Sequence, residues 1–336
     1  MAAPGASSAL EGPLVLRPRF VGRVWGGGNL PALLGEHEAA AGPEPVGEAW
    51  LADGASVVAS GPLAGATVDE LAARHGEALV GTLTVARYGR RLALLIKLLD
   101  AVEDLSVQVH PDDAYALKHE AGTGFLGKTE AWYVLRAAPG AYVRRGFVRD
   151  VSMQEVRAAA LDGTLVHLLR LVPVGPGDVV VNPAGTVHAV GAGLLLYEVQ
   201  QSSDLTYRLF DYGRTDASGR PRPLQLDKAL DVADLSEAPA ELPRPPEPAP
   251  GAWRRLVSRP EFVLDALRVA PGRGAGAATT EESCHLLAVV DGEARLQAGA
   301  EDVRLGMGAT VLLPAVMGPY TLTGDGEVLR AAVERR

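Results

Sequence analysis

One cysteine, Cys284, serves a chain of 336 residues. No intramolecular disulfide can form, and a zinc knuckle built on paired cysteines is excluded. Doing without disulfides suits a reducing compartment, and the expectation is a cytoplasmic protein. Long apolar runs are missing too. The most hydrophobic stretch, LALLIKLLD from Leu92 to Asp100, is too short to cross a bilayer and carries Lys97 in its middle. The opening MAAPGASSALEGPLVLRPRF lacks the basic start and long apolar core of a secretory signal and reads as a loose leader. Nor is there a basic run. Against a formal net charge of -9, that argues against nucleic acid or a membrane surface as partner, since either must be met by clustered Lys and Arg. No P-loop signature is present.

What the chain does have is a globular composition, 47% hydrophobic and 22% charged, at a length that suits two domains. Short β-type runs recur between Gly and Pro: PLVLRPRF, LALLIKLL, LSVQVH, AWYVL, AYVRRGFV, GDVVVN, TVHAV and LLLYEVQ. Many short strands at close spacing predict an all-β sandwich or barrel rather than an alternating βαβ fold. Few helices are expected. TVDELAARHG offers Thr67 as cap with Glu70 three residues on, SMQEVRAAALDG repeats the device with Ser152 and Glu155 before Gly163, and PDDAYALKHE is a third.

From Ser236 to Gly251 the sequence SEAPAELPRPPEPAPG has six prolines and no apolar periodicity, the signature of an extended linker. It divides an amino-terminal domain, residues 1–235, from a smaller β domain, residues 252–336. The halves share a weak repeat. GPGDVVVNPAGTVHAV lies over GMGATVLLPAVMGPYTL with Pro183 on Pro314, which puts Pro319 where the first copy has His188. Strand, proline turn and returning strand make the hairpin of a small jelly roll. By this pattern the metal-competent copy is the first, and the second domain is a degenerate barrel without one.

Four polar residues interrupt apolar strands. In LSVQVHPDD alternate side chains share a face, so Gln108 and His110 point one way and Val107 and Val109 the other. In GKTEAWYVL, Lys128, Glu130, Trp132 and Val134 share a face, and a carboxylate thereby enters an apolar surface, a costly event unless it is paired or bound to a metal. His188 ends NPAGTVH beside a proline turn. Gln108, His110, Glu130 and His188 together form an N/O ligand set fit for Zn, and equally for Fe, Mn or Co. A lone His or Gln on a strand is more often a hydrogen-bonded core residue, so spacing alone leaves both readings open. His37, His75, His119 and His167 sit in helical or loop contexts and read as surface residues; His285 beside Cys284 has no further ligand at a zinc-site spacing.

LLIKLLDAVEDLSVQVHPDD, GKTEAWYVL and VPVGPGDVVVNPAGTVHAVGAGLLLYEVQQSSDLTYRLFDYGR, with FVGRVWGGGNL and GEAW before them, resemble the type I mannose-6-phosphate isomerase family in its shorter bacterial form. The resemblance runs in ordered blocks over about residues 15 to 230. It implies cupin-type jelly-roll barrels and a zinc-dependent aldose-ketose isomerase that interconverts mannose 6-phosphate and fructose 6-phosphate, with one Zn2+ per chain. The family's zinc ligands fall on Gln108, His110, Glu130 and His188, and family active-site positions on Lys128, Glu198, Asp204 and Arg208. Longer members carry Lys-Pro-Glu where this chain has Lys-Thr-Glu, and a helical insert that this length cannot house, so contacts from that insert do not carry over.

Moving a carbonyl between C1 and C2 of a sugar requires proton transfer between adjacent carbons through an enediolate, with a metal to polarise the oxygens. Arg208, charged at any working pH, suits the developing oxyanion. Lys128, Glu198 and Asp204 compete for the proton, and an ion pair with Glu130 is the plain alternative for Lys128. For the phosphate, Arg208 and Lys118 are candidates; Lys97 is expected to reach the cavity or a carboxylate. WGGGNL, Trp25 to Leu30, reads as a Gly-rich bend before it reads as a phosphate cradle. Another cupin enzyme, such as a free-sugar isomerase or an iron dioxygenase, and a noncatalytic sugar-binding cupin are the other classes this ligand set admits. The sequence carries no sign of oligomeric state and leaves a monomer open.

Overall fold

The computed structural model describes residues 10–36, 42–215, 218–239 and 249–335. Two antiparallel sheets form the body that holds the site. The first runs in the order β2 (Arg19–Gly22), β3 (Val46–Ala52), β4 (Leu94–Ala101), β11 (Leu194–Gln201), β6 (Glu130–Ala137), β9 (Val179–Asn182). The second runs β12 (Tyr207–Phe210), β5 (Val107–Val109), β10 (His188–Val190), β7 (Tyr142–Phe147), β8 (Leu169–Pro173). Every expected β run is strand. The helices are short: α1 (Leu30–Leu33), α2 (Val68–His75), α3 (Glu77–Val80), α4 (Thr82–Tyr88), α5 (Asp113–His119), α6 (Met153–Asp162) and α7 (Leu226–Val232).

Strict alternation sorts the side chains into layers. On β6, Ala131 and Tyr133 join one core while Trp132 and Val134 join another, between the two sheets. The same holds on β5, where Val107 and Val109 pack outward against α6 and α7 and leave Gln108 facing inward. Glu130, Gln108 and His188 thus share the space between the sheets with Leu99, Trp132, Val143 and Val190. Each fully buried large apolar side chain contributes about 1.5–3 kcal/mol, and this layer fixes the walls of the site.

A third sheet follows in the order β1 (Leu14–Leu16), β18 (Thr310–Leu313), β16 (His285–Ala298), β19 (Pro319–Ala332), β14 (Val263–Val269), β13 (Trp253–Ser258), with β15 (Ala275–Ala278) on β19 and β17 (Glu301–Gly306) on β16. The all-β architecture expected from the sequence is present in both halves. The division at residue 236 is less clean than the linker implied, because PLVLRPRF splits: Leu14–Leu16 pairs with Thr310–Leu312 in the third sheet, and only Arg19–Gly22 joins the first. One core cluster also runs from Ile96, Tyr197 and Val199 through Leu71 and Leu79 to Leu264, Leu286 and Leu329. Of the proline-rich segment, residues 240–248 lie outside the described residues, as does His37.

Both segments of the repeat run as strand, turn and strand, but neither is a hairpin. β9 pairs with β6, β10 pairs with β5 and β7, and the proline turn between them carries the chain from one sheet to the other. β18 and β19 likewise do not pair with each other; both pair with β16. Among the caps, Thr67 and Glu70 close the full capping box of α2. On α6 only half forms: Ser152 accepts from the Glu155 N–H, but the Glu155 carboxylate turns to Arg149. Gly163 ends α6 in the left-handed conformation, as expected.

Candidate metal centre and active site

Two cross-strand rows face each other between the sheets. Across the first sheet, Glu130 on β6 stands opposite Gln200 on β11 and Asn182 on β9. Across the second, Gln108 stands opposite Arg208 on one side and His188 on the other, and His188 opposite Arg145. His110 follows β5 directly, and its O accepts from Gly185 in the proline turn that leads to His188. The fold therefore brings together Gln108, His110, Glu130 and His188 from three separate segments.

His110, Glu130 and His188 are the one group of three or more potential ligands among the described residues whose donor atoms all lie within 4.8 Å of one another. His110 Nδ1 lies 2.8 Å from Leu205 O and His188 Nδ1 lies 2.9 Å from Thr186 O. A carbonyl oxygen only accepts, so in each ring Nδ1 carries the hydrogen and Nε2 presents a lone pair inward. Burial, with Lys128 nearby, pushes the His110 imidazole down to about 3 against the pull of Glu130, and burial lowers His188 in the same way. Both rings are neutral at physiological pH. Burial opposes ionisation of Glu130, yet the Lys128 ammonium outweighs it and holds the carboxyl well below its usual range.

Glu130 Oε1 lies 3.2 Å from His188 Nε2 and Oε2 lies 3.3 Å from His110 Nε2. Lys128 Nζ approaches Oε2 to 2.7 Å and His110 Nε2 to 3.1 Å. Apart from the Lys128 ion pair, neither Glu130 oxygen has a hydrogen-bond partner among the described residues, although the residue is fully buried. Gln108 turns its amide nitrogen toward His188 Nε2 at 3.3 Å; a half-turn of that amide presents the oxygen instead. Two imidazole lone pairs, a buried carboxylate held by a single ammonium and a rotatable amide are a donor set that fits a borderline divalent cation, and fit it better than they fit one another.

The ligand set opens onto a cavity of about 320 Å³. Five cationic side chains line it, Arg23, Lys97, Lys128, Arg208 and Arg222, against three carboxylates, Glu48, Glu198 and Asp204. Most of these charges are already engaged. Lys97 lies 3.2 Å from Glu198, whose other oxygen accepts from Trp132 Nε1 at 3.0 Å. Arg23 binds Glu48 through two nitrogens at 2.9 and 3.0 Å, and Arg222 binds Asp211 at 2.5 and 2.6 Å. Burial raises the Glu198 carboxyl despite Lys97, whereas Glu48, equally buried, is drawn down to about 2 by Lys97 and Arg23. Arg208 differs. Its guanidinium donates to Pro223 O at 3.1 Å, and among the described residues it is the cavity cation with no carboxylate in ion-pair contact.

Lys128, Glu198, Asp204 and Arg208 all line this cavity, as does Lys97. Lys118 does not; it lies exposed on α5. In WGGGNL the N–H groups of Gly26, Gly27 and Gly28 are spent on Arg23 O, Asp100 O and Val46 O, so the stretch is a bend and not a phosphate cradle. A Cβ on Gly27 would come within 2.3 Å of the Asp100 carboxylate, which explains the glycine. His285 is buried against the Tyr320 hydroxyl at 3.0 Å and belongs to no group of three potential ligands among the described residues. Arg23, Glu48 and Arg222 were not singled out from the sequence. Glu48 did carry a signal, a carboxylate inside the buried strand VGEAWLA; Arg222 sits in an irregular proline-flanked loop and carried none.

A double-sheet barrel with an inward His, Glu and His group beside a polar cavity that Gln108 and Lys128 line defines the chain as a cupin-fold enzyme. The family model for the phosphomannose isomerase type I catalytic domain matches residues 14–131, and that for the mannose-6-phosphate isomerase cupin domain matches residues 273–333. The mannose-6-phosphate isomerase of Streptococcus mutans is 36% identical over 331 residues, spanning 94% of this chain and 97% of the relative. Mannose-6-phosphate isomerase ManA of Bacillus subtilis is 35% identical over 322 residues, spanning 94% and 98%. The crystal structure of the mannose 6-phosphate isomerase from Bacillus subtilis superposes with a TM-score of 0.83 at 33% identity, covering 95% of this chain and 99% of the other. The chain belongs to the type I mannose-6-phosphate isomerase family.

Proposed function

We propose that the protein interconverts mannose 6-phosphate and fructose 6-phosphate, with a zinc ion held by His110, Glu130, His188 and the rotated amide of Gln108. The observation that carries this reading is the pair of inward imidazole lone pairs around a buried carboxylate whose one cation is Lys128, beside a cavity with cationic side chains in excess. Zinc there would supply Lewis-acid polarisation of the sugar's C1 and C2 oxygens.

The remaining work falls to the protein's own groups. A proton leaves one carbon of the C1–C2 pair and returns to the other through an enediolate. We assign its transfer to Lys128, whose buried Nζ stands on the cavity wall beside the ligand set, 2.7 Å from Glu130. Glu198 is committed to Trp132 and Lys97, so its role is to hold that wall rather than to carry the proton. Asp204, on the exposed rim, orients the sugar hydroxyls. Arg208, with its charge uncommitted and its backbone paired to Gln108, meets the oxyanion as it develops. The excess of cations in the lining favours a phosphate dianion over a neutral sugar.

The test is a coupled assay on mannose 6-phosphate before and after chelation, with zinc added back. Turnover should vanish with chelator and return with zinc, and His188→Ala should remove it while leaving the fold intact by circular dichroism. Turnover confined to unphosphorylated sugars would refute the substrate, and oxygen consumption would place the protein among the dioxygenases.

A further inference from the structure

Asn182 is the last residue of β9, 1% exposed, and neither its amide nitrogen nor its amide oxygen has a hydrogen-bond partner. A buried amide left unsatisfied on both sides is destabilising, a cost that an apolar residue such as the valines before it would avoid. Its place in the register gives the reason. Asn182 pairs directly with Glu130, and its neighbour Val180 lies in the same core layer as Trp132, so both polar side chains point into the metal centre. Directly opposed residues of an antiparallel pair hold their Cβ atoms about 4.5–5.5 Å apart. An unpartnered donor therefore stands beside an unpartnered acceptor.

The two Glu130 oxygens are not equivalent. Oε2 has the Lys128 ammonium at 2.7 Å, whereas the near polar neighbour of Oε1 is His188 Nε2 at 3.2 Å, a lone pair that cannot donate. We infer that Asn182 is a positioning residue of the metal centre: its Nδ2 donates to Glu130 Oε1 when the cation is bound, fixing which oxygen faces the metal. Resting on the zinc reading above, this assigns to β9 a residue that holds a ligand without touching metal or substrate. Outer partners of this kind typically raise metal affinity about 10- to 100-fold.

The role makes opposite demands on the two states of the protein. Without metal, Asn182→Leu removes an unsatisfied buried amide and the apoprotein should melt at the same temperature or higher. With metal, the same variant should bind zinc at least about tenfold more weakly than wild type in competition with a chromogenic chelator, and the visible band of the cobalt-substituted protein should shift. Asn182→Val, run in parallel, guards against misfit of the leucine. Equal zinc affinity in wild type and variants would overturn the inference, as would apoproteins of both variants that melt lower or fail to fold. Wild type that binds no zinc in this assay would instead refute the metal reading itself.

Discussion

Lys97 is the residue on which most of the buried charge depends. It stands on β4 in register with Trp50 on one side and Glu198 on the other, 5% exposed, with burial opposing its charge and Glu198 and Glu48 holding it. Glu48 is held down to about 2 for the reciprocal reason. Its folded value lies below the unfolded value of about 4.3, so its stabilising contribution is complete above that pH and is lost as the pH falls toward 2. Lys97→Met leaves the buried Glu198 carboxylate without its cation, while Glu48 keeps Arg23, and should cost about 3–5 kcal/mol at neutral pH. Burial then favours the protonated Glu198 carboxyl in the folded state, so the deficit should shrink in urea titrations run at pH 4.5. Adding Glu198→Gln should restore part of the loss; a deficit independent of pH and of Glu198 would show that Lys97 acts by packing alone. The ligand residues were legible in the sequence because each breaks an apolar alternation. Asn182 breaks one as well, in VVVNP, but a strand end beside proline is where Asn is ordinary, and only its register with Glu130 gives it meaning.

At the scale of elements, the turn from β9 to β10 does more than connect. Gly185 N donates to His110 O at 2.9 Å, Asp234 N donates to Gly185 O at 2.8 Å, and Thr186 O fixes the His188 ring, so one turn orients both histidines. Gly185 has φ +88, and a Cβ there would lie 3.0 Å from Val232 O. Gly185→Ala should therefore cost about 1–2 kcal/mol in backbone strain, lower the melting temperature, and reduce zinc affinity without any change in ligand identity. Titration with a metal-sensitive dye checks this; unaltered affinity would mean that the histidines are placed by their strands alone. The strands and caps were readable from alternation and from Thr67, Ser152 and Gly163. The crossing was not, because a proline-glycine turn looks the same whether it returns to its own sheet or leads to the facing one. Half of the expected box on α6 failed for a similar reason: Arg149, three residues before the cap, competes for Glu155.

Over the whole molecule, the two halves are joined too closely to act as beads on a linker. β1 is an edge strand of the carboxy-terminal sheet, and its partner Thr310–Leu312 lies almost the full chain away, a pairing with no local sequence signal. The α3–α4 corner docks on the same sheet through backbone hydrogen bonds, from Thr82 and Leu83 to Glu281 O and Glu282 O and from Cys284, Ala315 and Val316 back to Val80 O, Leu79 O and Ala78 O. Tyr133, on the outer face of the strand that carries Glu130, donates to Glu327 at 2.8 Å. We read residues 252–335 accordingly as a buttress behind the site's first sheet. Gly81 is the point of closest approach: its φ is +94, and a Cβ there would fall 2.2 Å from Glu282 O. Gly81→Ala must both strain the backbone and part the two halves, at a cost of about 2 kcal/mol or more. Because the core is shared, calorimetry of wild type and variant should each give a single transition, the variant's shifted down as a unit. Two resolved transitions in the wild type, or a variant in which only the carboxy-terminal sheet loses amide protection, would mean that the shared core does not couple the halves and that the site stands without its buttress.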